Sequence, residues 1–247
     1  SAGTQRLAAG SRIMGAKLGR NALYVWTDTS LFTMRFVGQP FTFAYEQVGT
    51  NCGLIGMNAA VEVDGAAYWM SDNGFFRFTG KLESMDCLVE DYVYDDINTT
   101  SNQFIYCGIN NLFGEVMWFY PTSASNVVDR CVVYSYLDST PQRPIWYTNA
   151  NSLYPRTTWV DSSVFGKPHA TLYDAGTDTC LTVGNTDGNS IYYEHETGVN
   201  QIKGGVTAAI PANILSGDFD ITQSQKEGIT FRGDGEHIMR VSRFLPD

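Results

Sequence analysis

The feature that most constrains the fold is an internal echo in the sequence. The segment 22-ALYVWTDTSLFTMRFVG-38 aligns with 67-AYWMSDNGFFRFTG-80 when Asp28 is placed on Asp72, which lies 44 residues later. In both segments, aromatic and aliphatic residues flank a short polar turn. This pattern is typical of a β-hairpin, because Asp and Asn tolerate turn geometry and Gly supplies positive φ.

Two looser copies extend the echo along the chain. They are 113-FGEVMWFYPTSASNVVDRCVVYSYL-137 and 178-DTCLTVGNTDGNSIYYEHETG-198. A repeat of about 40–50 residues is typical of four-stranded propeller blades. We therefore predict hairpin turns at Thr27–Ser30, Ser71–Gly74 and Asn185–Gly188.

The composition agrees with a β protein. Aromatic residues make up 13% of the 247 residues and charged residues only 17%, and long runs of helix formers are absent. Only two short pieces, around Gln5–Ala9 and 88–97, have helical character. We predict an all-β fold, a propeller-like array of antiparallel hairpins, with blades over 1–200 and a further β segment over 201–247.

The cysteines and the chain ends indicate the setting of the protein. The five cysteines form no CxxC pair and no paired spacing, which is typical of buried thiols in a reducing compartment. No stretch resembles a signal peptide or a membrane-spanning segment. Because the chain begins at Ser1 and stops at Asp247 without a tail-like change of composition, we interpret it as a segment of a longer polypeptide.

The residues that commonly carry catalysis form no recognisable motif. His169, His195 and His237 are far apart and none lies in HExxH, and GxSxG does not occur. The carboxylate-rich segment 216-SGDFDITQSQKEG-228 lacks calcium-loop spacing, and we read Asp234-Gly235 as a hairpin turn. We therefore predict no catalytic, cofactor-binding or metal site, and a protein that is not an enzyme.

Several segments together resemble one family. The resemblance covers the run from 12 to 160 and the ending of the chain. Its segments are 38-GQPF-41, 52-CGL-54, 58-NAA-60, 66-AAYWMSDNGFFRFTG-80, 86-DCLVEDYVYDDIN-98, 112-LFGEVMWFYP-121 with Asn126 and Asp129, 156-RTTW-159, 216-SGDFDI-221 and 234-DGEHIMRVSRFLPD-247. In order and spacing they resemble the tail nozzle and packaged-DNA stabilisation proteins of short-tailed bacteriophages.

The resemblance implies a structural protein of the virion tail, assembled in the host cytoplasm. Copies would form a ring of six below the portal and adaptor ring, and a tail fibre or tail needle would attach to it. The ring would continue the channel that holds packaged double-stranded DNA and then releases it, without sequence-specific binding.

The acidic excess suits such a channel. The net charge is −10 and no basic stripe occurs, so tight binding to phosphates is not expected. The densest group of acids is Glu90, Asp91, Asp95 and Asp96, which we take as candidate channel-lining residues. A solvated outer face is the alternative for this group.

Two other functions stay open. One is a carbohydrate-binding or glycan-degrading β-propeller, which requires a convergent set of acidic, Arg and Tyr side chains. Arg77, Arg130, Arg143 and Arg156 lie at unrelated blade positions and form no such set in the sequence. The other is a general protein-interaction propeller, which the lack of WD dipeptides and of Kelch glycine pairs disfavours.

Overall fold

The computed structural model describes residues 6–149, 156–173, 190–203, 206–210, 225–226 and 229–230. Its secondary structure is almost entirely antiparallel β. The chain divides into two units, Ser1–Gly198 and Val199–Asp247. The all-β class predicted from the sequence is confirmed.

The first unit contains three four-stranded sheets, each formed by consecutive strands in chain order. The first comprises β1 (Ile13–Leu18), β2 (Leu23–Thr27), β3 (Ser30–Phe36) and β4 (Phe43–Thr50). The second comprises β5 (Ala60–Val63), β6 (Ala66–Ser71), β7 (Gly74–Phe78) and β8 (Leu82–Met85). The third comprises β9 (Tyr106–Asn110), β10 (Glu115–Tyr120), β11 (Arg130–Ser135) and β12 (Trp146–Asn149).

Further elements complete the described chain. Between the second and third sheets lie the short helix α1 (Glu90–Tyr94) and a 3-10 helix (Thr99–Phe104). A fourth sheet contains β13 (Thr158–Val160), β14 (His169–Tyr173) and β15 (Ser190–Glu194). In the second unit, β16 (Asn200–Lys203) pairs with β17 (Val206–Ala209), and β18 (Gln225–Lys226) pairs with β19 (Ile229–Thr230).

The sheets of the first unit follow one another as blades do. The first strand of each sheet contacts the first strand of the next, so that β1, β5, β9 and β13 are neighbours in turn. Just before β5, Asn58 forms a parallel bridge to Tyr106, and Cys107 N donates to Asn58 O at 2.8 Å. Among the described strands no sheet closes into a barrel. The result is a propeller-like array of antiparallel sheets.

The echo of 44 residues corresponds to equivalent hairpins in the first two sheets. The β2–β3 turn lies between Thr27 and Ser30, and Ser30 N donates to Thr27 Oγ1 at 2.9 Å. The β6–β7 turn lies between Ser71 and Gly74, where Ser71 Oγ donates to Asn73 Oδ1 at 3.0 Å. Both predicted turns are confirmed. The turn predicted at Asn185–Gly188 lies outside the described residues.

The helical predictions have a mixed outcome. Helix α1 and its cap lie within the predicted segment 88–97. Residues 6–9, however, are not helical, so the expectation for Gln5–Ala9 is wrong in its described part. A piece this short cannot offset the cost of helix nucleation without a packing partner. The 3-10 helix at Thr99–Phe104 was not predicted.

Aromatic side chains fill the spaces between the sheets. The hairpin pattern predicts that Trp26, Tyr68, Phe76 and Trp118 are mostly buried, and this is confirmed for all of them except Phe76. Phe76 is only partly buried and stacks on Trp69, whereas its neighbour Phe75 is fully enclosed. Both faces of β7 are covered by apolar groups. The pattern of apolar and polar residues along the strand therefore does not indicate which face is more buried.

One hairpin leaves its apolar side chains uncovered. Strand β4 is largely exposed, and the β3–β4 tip presents Phe36 at 73% and Phe41 at 74% exposure. The Phe36 and Phe43 rings contact each other edge to face, with centroids 5.9 Å apart. An exposed aromatic cluster of this kind is typical of a surface that contacts another molecule.

Candidate functional site

The four candidate channel-lining acids lie in and just after α1. Glu90 and Asp91 form its first turn, and Asp95 and Asp96 follow its last residue. The helix is fixed to the β6–β7 turn, because Tyr94 OH donates to Ser71 O at 2.7 Å and to Gly74 O at 3.0 Å. The acids therefore lie at one end of the second sheet and not on the strands β1, β5, β9 and β13.

The four acids differ in their contacts and in their exposure to solvent. Asp96 Oδ1 accepts from Ser123 Oγ at 2.6 Å, and Asp96 Oδ2 lies 3.9 Å from Arg130 Nη2. Arg130 also donates to Tyr92 OH in α1. Asp96 is therefore part of a group of polar contacts that connects α1 to the start of β11 and to the loop before it. Asp91 and Asp95 are exposed, which makes them the members of the group best able to act on a passing polyanion.

Glu90 has a different environment from the exposed acids. It is half-buried beside the β6–β7 turn. Burial, together with the charges of Asp91 and Asp86, raises the pKa of its carboxyl above the usual range. Whether any of the four lines a DNA channel stays a prediction.

A second group of polar residues surrounds a cavity of about 380 Å³. The cavity lies between the third sheet and the residues that flank the fourth sheet. Its apolar wall is formed by Met117, Phe119, Cys131, Val133 and Trp159. Its polar residues are Asn110, Glu115, Asp129, Arg130, Tyr147, Thr148, Arg156, His195 and Glu196.

Asn110 joins two carboxylates in the wall of this cavity. Its Nδ2 lies 3.4 Å from Glu115 Oε2 and 3.5 Å from Glu196 Oε1, so the amide nitrogen must face both oxygens. Glu115 is also held by Tyr147, whose hydroxyl donates to Oε1. Burial and the contact with Glu115 raise the pKa of Tyr147. Tyr147 therefore stays protonated and keeps donating to Glu115.

The orientation of Asn110 leaves its carbonyl oxygen without a donor. The residue is 3% exposed, and Oδ1 has no hydrogen-bond partner among the described residues. A buried polar atom left in this state costs about 1–3 kcal/mol.

Arg156 and His195 form the other side of the cavity. Arg156 is buried, its guanidinium lies 3.8 Å from the centroid of the Tyr193 ring, and its Nε donates to His195 Nε2 at 2.9 Å. This contact requires a neutral imidazole with its proton on Nδ1. Burial and the Arg156 charge lower the pKa of His195 to about 4.

Acid should destabilise the protein through His195. Its pKa is 6.5 in the unfolded chain and about 4 in the folded one, so between these values the unfolded state binds more protons. We therefore expect stability to fall as the pH is lowered from 6.5 towards 4. Urea unfolding at several pH values should show a weaker dependence in His195→Gln, whose amide oxygen can still accept from Arg156. The matched change His169→Gln should keep most of the wild-type dependence, because the His169 charge is the smallest of the three causes that lower the pKa of His195. Equal slopes in all three proteins would contradict this assignment.

The four described cysteines are buried or half-buried. Cys52, Cys87, Cys107 and Cys131 are free thiols, and Cys180 lies outside the described residues. Burial raises the pKa of Cys87 to about 12 and also raises those of Cys107 and Cys131. Such thiols are unreactive at neutral pH. Within the described ranges, no three His, Cys, Asp or Glu side chains converge on a point that would hold a metal ion.

The cavity residues were missed by the sequence analysis. Asn110 and Glu196 are 86 positions apart, and Arg156 is 39 positions from His195. No short motif links residues at such distances. The sequence places Arg130 and Arg156 at unrelated blade positions, whereas the structure brings both to the wall of this cavity. The available signal was the place of Arg156 in 156-RTTW-159, beside a tryptophan that enters the same wall.

Comparison with models of known protein families and with curated proteins finds no match to this sequence. Along the described residues, no helix combines the length and apolar character needed to cross a membrane.

Proposed function

We propose that this chain is a structural protein of a bacteriophage tail, a subunit of the nozzle ring that continues the DNA channel below the portal and adaptor. The observation that carries the proposal is the serial packing of four sheets through their first strands, β1, β5, β9 and β13. Such an array makes a stiff wall, because each sheet packs on its neighbours. The family resemblance of the sequence supplies the tail as the setting.

Two further features support a ring of like subunits. The β3–β4 tip exposes Phe36 and Phe41, which gives the chain an apolar surface for a neighbouring molecule. The charge of −10 and the exposed Asp91 and Asp95 suit a wall past which a duplex must slide without being held. The partners we propose are copies of the chain, the adaptor or portal ring, a tail fibre or needle, and passing double-stranded DNA.

The ring is tested on the full-length protein with its adaptor. Native mass spectrometry should show a closed multiple of the subunit, and electron microscopy of the same sample should show an axial channel. A protein that stays monomeric in the presence of the adaptor would overturn the ring.

The alternative function, a glycan-degrading propeller, predicts that the protein hydrolyses polysaccharide. We expect no hydrolysis. Glu115 and Glu196 are two carboxylates in the wall of the same cavity. Glycoside hydrolysis requires two carboxyl groups on either side of the scissile bond, about 5–9.5 Å apart. The Asn110 amide lies between these two carboxylates, within 3.5 Å of an oxygen of each, and occupies the place of that bond.

The measurement is the release of reducing sugar from host surface polysaccharide by the purified protein. The expected result is a rate equal to that of buffer alone, for the wild type and for Glu115→Gln. Release by the wild type that Glu115→Gln abolishes would make the protein an enzyme.

The channel assignment predicts a defect that depends on salt. In phage that carry Asp91→Lys with Asp95→Lys, particles should assemble and eject DNA more slowly than wild type, because each Lys attracts passing phosphates. The defect should shrink as salt rises, since the Debye length falls from about 10 Å at 0.1 M to about 3 Å at 1 M. Ejection kinetics measured at several salt concentrations test this.

The matched control is Glu46→Lys, which reverses an exposed acid on β4 of the first sheet. It should eject DNA at the wild-type rate. If the Asp91 and Asp95 variant also ejects at the wild-type rate in low salt, α1 does not line the channel, and other polar groups form the wall.

A further inference from the structure

We propose that the cavity between the third and fourth sheets is a binding site for a neutral saccharide unit. This inference goes beyond the proposed tail function and does not depend on it. It rests on the size of the cavity, on the fixed carboxylates in its wall and on the balance of charge around it.

The size and the walls suit a small ligand. The volume of about 380 Å³ lies within the range of about 300–1,000 Å³ in which proteins bind small molecules. Met117, Phe119, Val133 and Trp159 supply an apolar wall against which the C–H face of a sugar ring can pack.

The polar side of the cavity is fixed before any ligand binds. Asn110 lies between Glu115 and Glu196, and Tyr147 holds the second oxygen of Glu115. Carboxylate oxygens only accept hydrogen bonds, and sugar hydroxyls are donors that match them. Asn110 is itself buried and lines the cavity, so its amide nitrogen keeps the two carboxylates in place.

The charges around the cavity favour an uncharged ligand. The residues that line the cavity carry three carboxylates, those of Glu115, Asp129 and Glu196, and two guanidinium groups, those of Arg130 and Arg156, while His195 is neutral near pH 7. An anion would approach the carboxylates, and a cation would approach the arginines. A neutral polyhydroxyl compound avoids both of these like-charge contacts. Its hydroxyl groups can donate hydrogen bonds to the carboxylates and accept them from the arginines.

Ligand-observed NMR on the purified full chain tests the site. The probes are D-glucose, D-galactose, N-acetyl-D-glucosamine, maltose and lactose at millimolar concentration, with propylammonium as a charged comparison. We expect saturation transfer to at least one of the sugars and none to propylammonium.

Variants connect the signal to the cavity. Glu115→Gln and Glu196→Gln should each weaken binding of the sugar by about tenfold or more, the loss expected when a hydrogen bond to a charged group is removed. Glu196 is exposed, so its variant should fold even if a change at Glu115 disturbs the third sheet. The matched control Glu46→Gln makes the same change on β4 and should leave the affinity unchanged.

The outcomes are decisive. Weaker binding in the cavity variants, with unchanged binding in the control, supports the site. If no sugar shows transfer to the folded protein, or if the affinities of Glu196→Gln and wild type are equal, the proposal is wrong. Transfer to propylammonium without transfer to any sugar would overturn the ligand class.

Discussion

Replacing Phe75 with alanine is expected to lower the free energy of unfolding by about 3–5 kcal/mol. The side chain is fully buried and touches three other rings. Its centroid lies 4.9 Å from those of Trp118 and Trp146 and 5.8 Å from that of Tyr94. Phe75 therefore joins the second sheet to the third sheet and to α1, and its removal leaves a cavity where these elements meet.

The adjacent Phe76 provides the matched control. Phe76→Ala removes the same side chain one position away, but Phe76 is only partly buried, and among the described rings it stacks on Trp69 alone. We expect Phe76→Ala to cost about 1–2 kcal/mol, because less apolar area returns to water. Urea unfolding followed by tryptophan fluorescence measures both. A cost for Phe76→Ala as large as that for Phe75→Ala would contradict the assigned facing of β7.

Gly53→Ala is expected to destabilise the protein by about 3 kcal/mol or more, at the upper end of the range for overpacking. A Cβ at this position would lie 2.5 Å from Thr29 N and closer still to the carbonyl group of Asp28. These atoms form the backbone of the β2–β3 turn, so no side-chain rotation relieves the collision.

The β2–β3 turn cannot move away from Gly53 without breaking the hydrogen bonds that it makes to the residues on either side of Gly53. Cys52 N donates to Thr29 O and Leu54 N donates to Thr27 O, both at 3.1 Å, so the chain on either side of Gly53 is tied to the turn. The same segment accepts a hydrogen bond from Trp69 Nε1 at Cys52 O, at 2.8 Å. Gly53 thus lies where the first two sheets meet.

The control for Gly53→Ala is Gly15→Ala. There the nearest atom to a new Cβ is Met57 O at 3.0 Å, a tight contact that a small shift can relieve. We expect a clearly smaller loss for this variant. Thermal unfolding of the two variants beside the wild type measures the difference, and a wild-type melting temperature for Gly53→Ala would show that the turn does not pack as described.

The sequence by itself determined the class of fold and the local hairpins. The turns at Thr27–Ser30 and Ser71–Gly74 were predictable, because turn residues and alternating apolar residues act over a few neighbouring positions. The repeat of 44 residues indicated that the two hairpins are equivalent. The short helix within 88–97 was predictable for the same local reason.

The facing of apolar strands was decided only by tertiary packing. Phe75 and Phe76 follow each other in a strand with apolar cover on both sides, and nothing in the sequence indicates that Phe75 is the enclosed one. The acids at 90–96 form one group in the sequence. In the folded chain they have different environments. Arg130 and Ser123, which are distant in sequence, contact Asp96, whereas Asp91 and Asp95 are exposed.

The cavity is the clearest product of the tertiary structure. Asn110 ends a strand of the third sheet, whereas Arg156 precedes the fourth sheet and His195 and Glu196 follow its last described strand. Each of them has ordinary neighbours in the sequence. They meet because the first strands of the sheets pack side by side, which brings the ends of distant strands to the same edge. Contacts of this separation depend on how sheets stack, and no local pattern in the sequence records that.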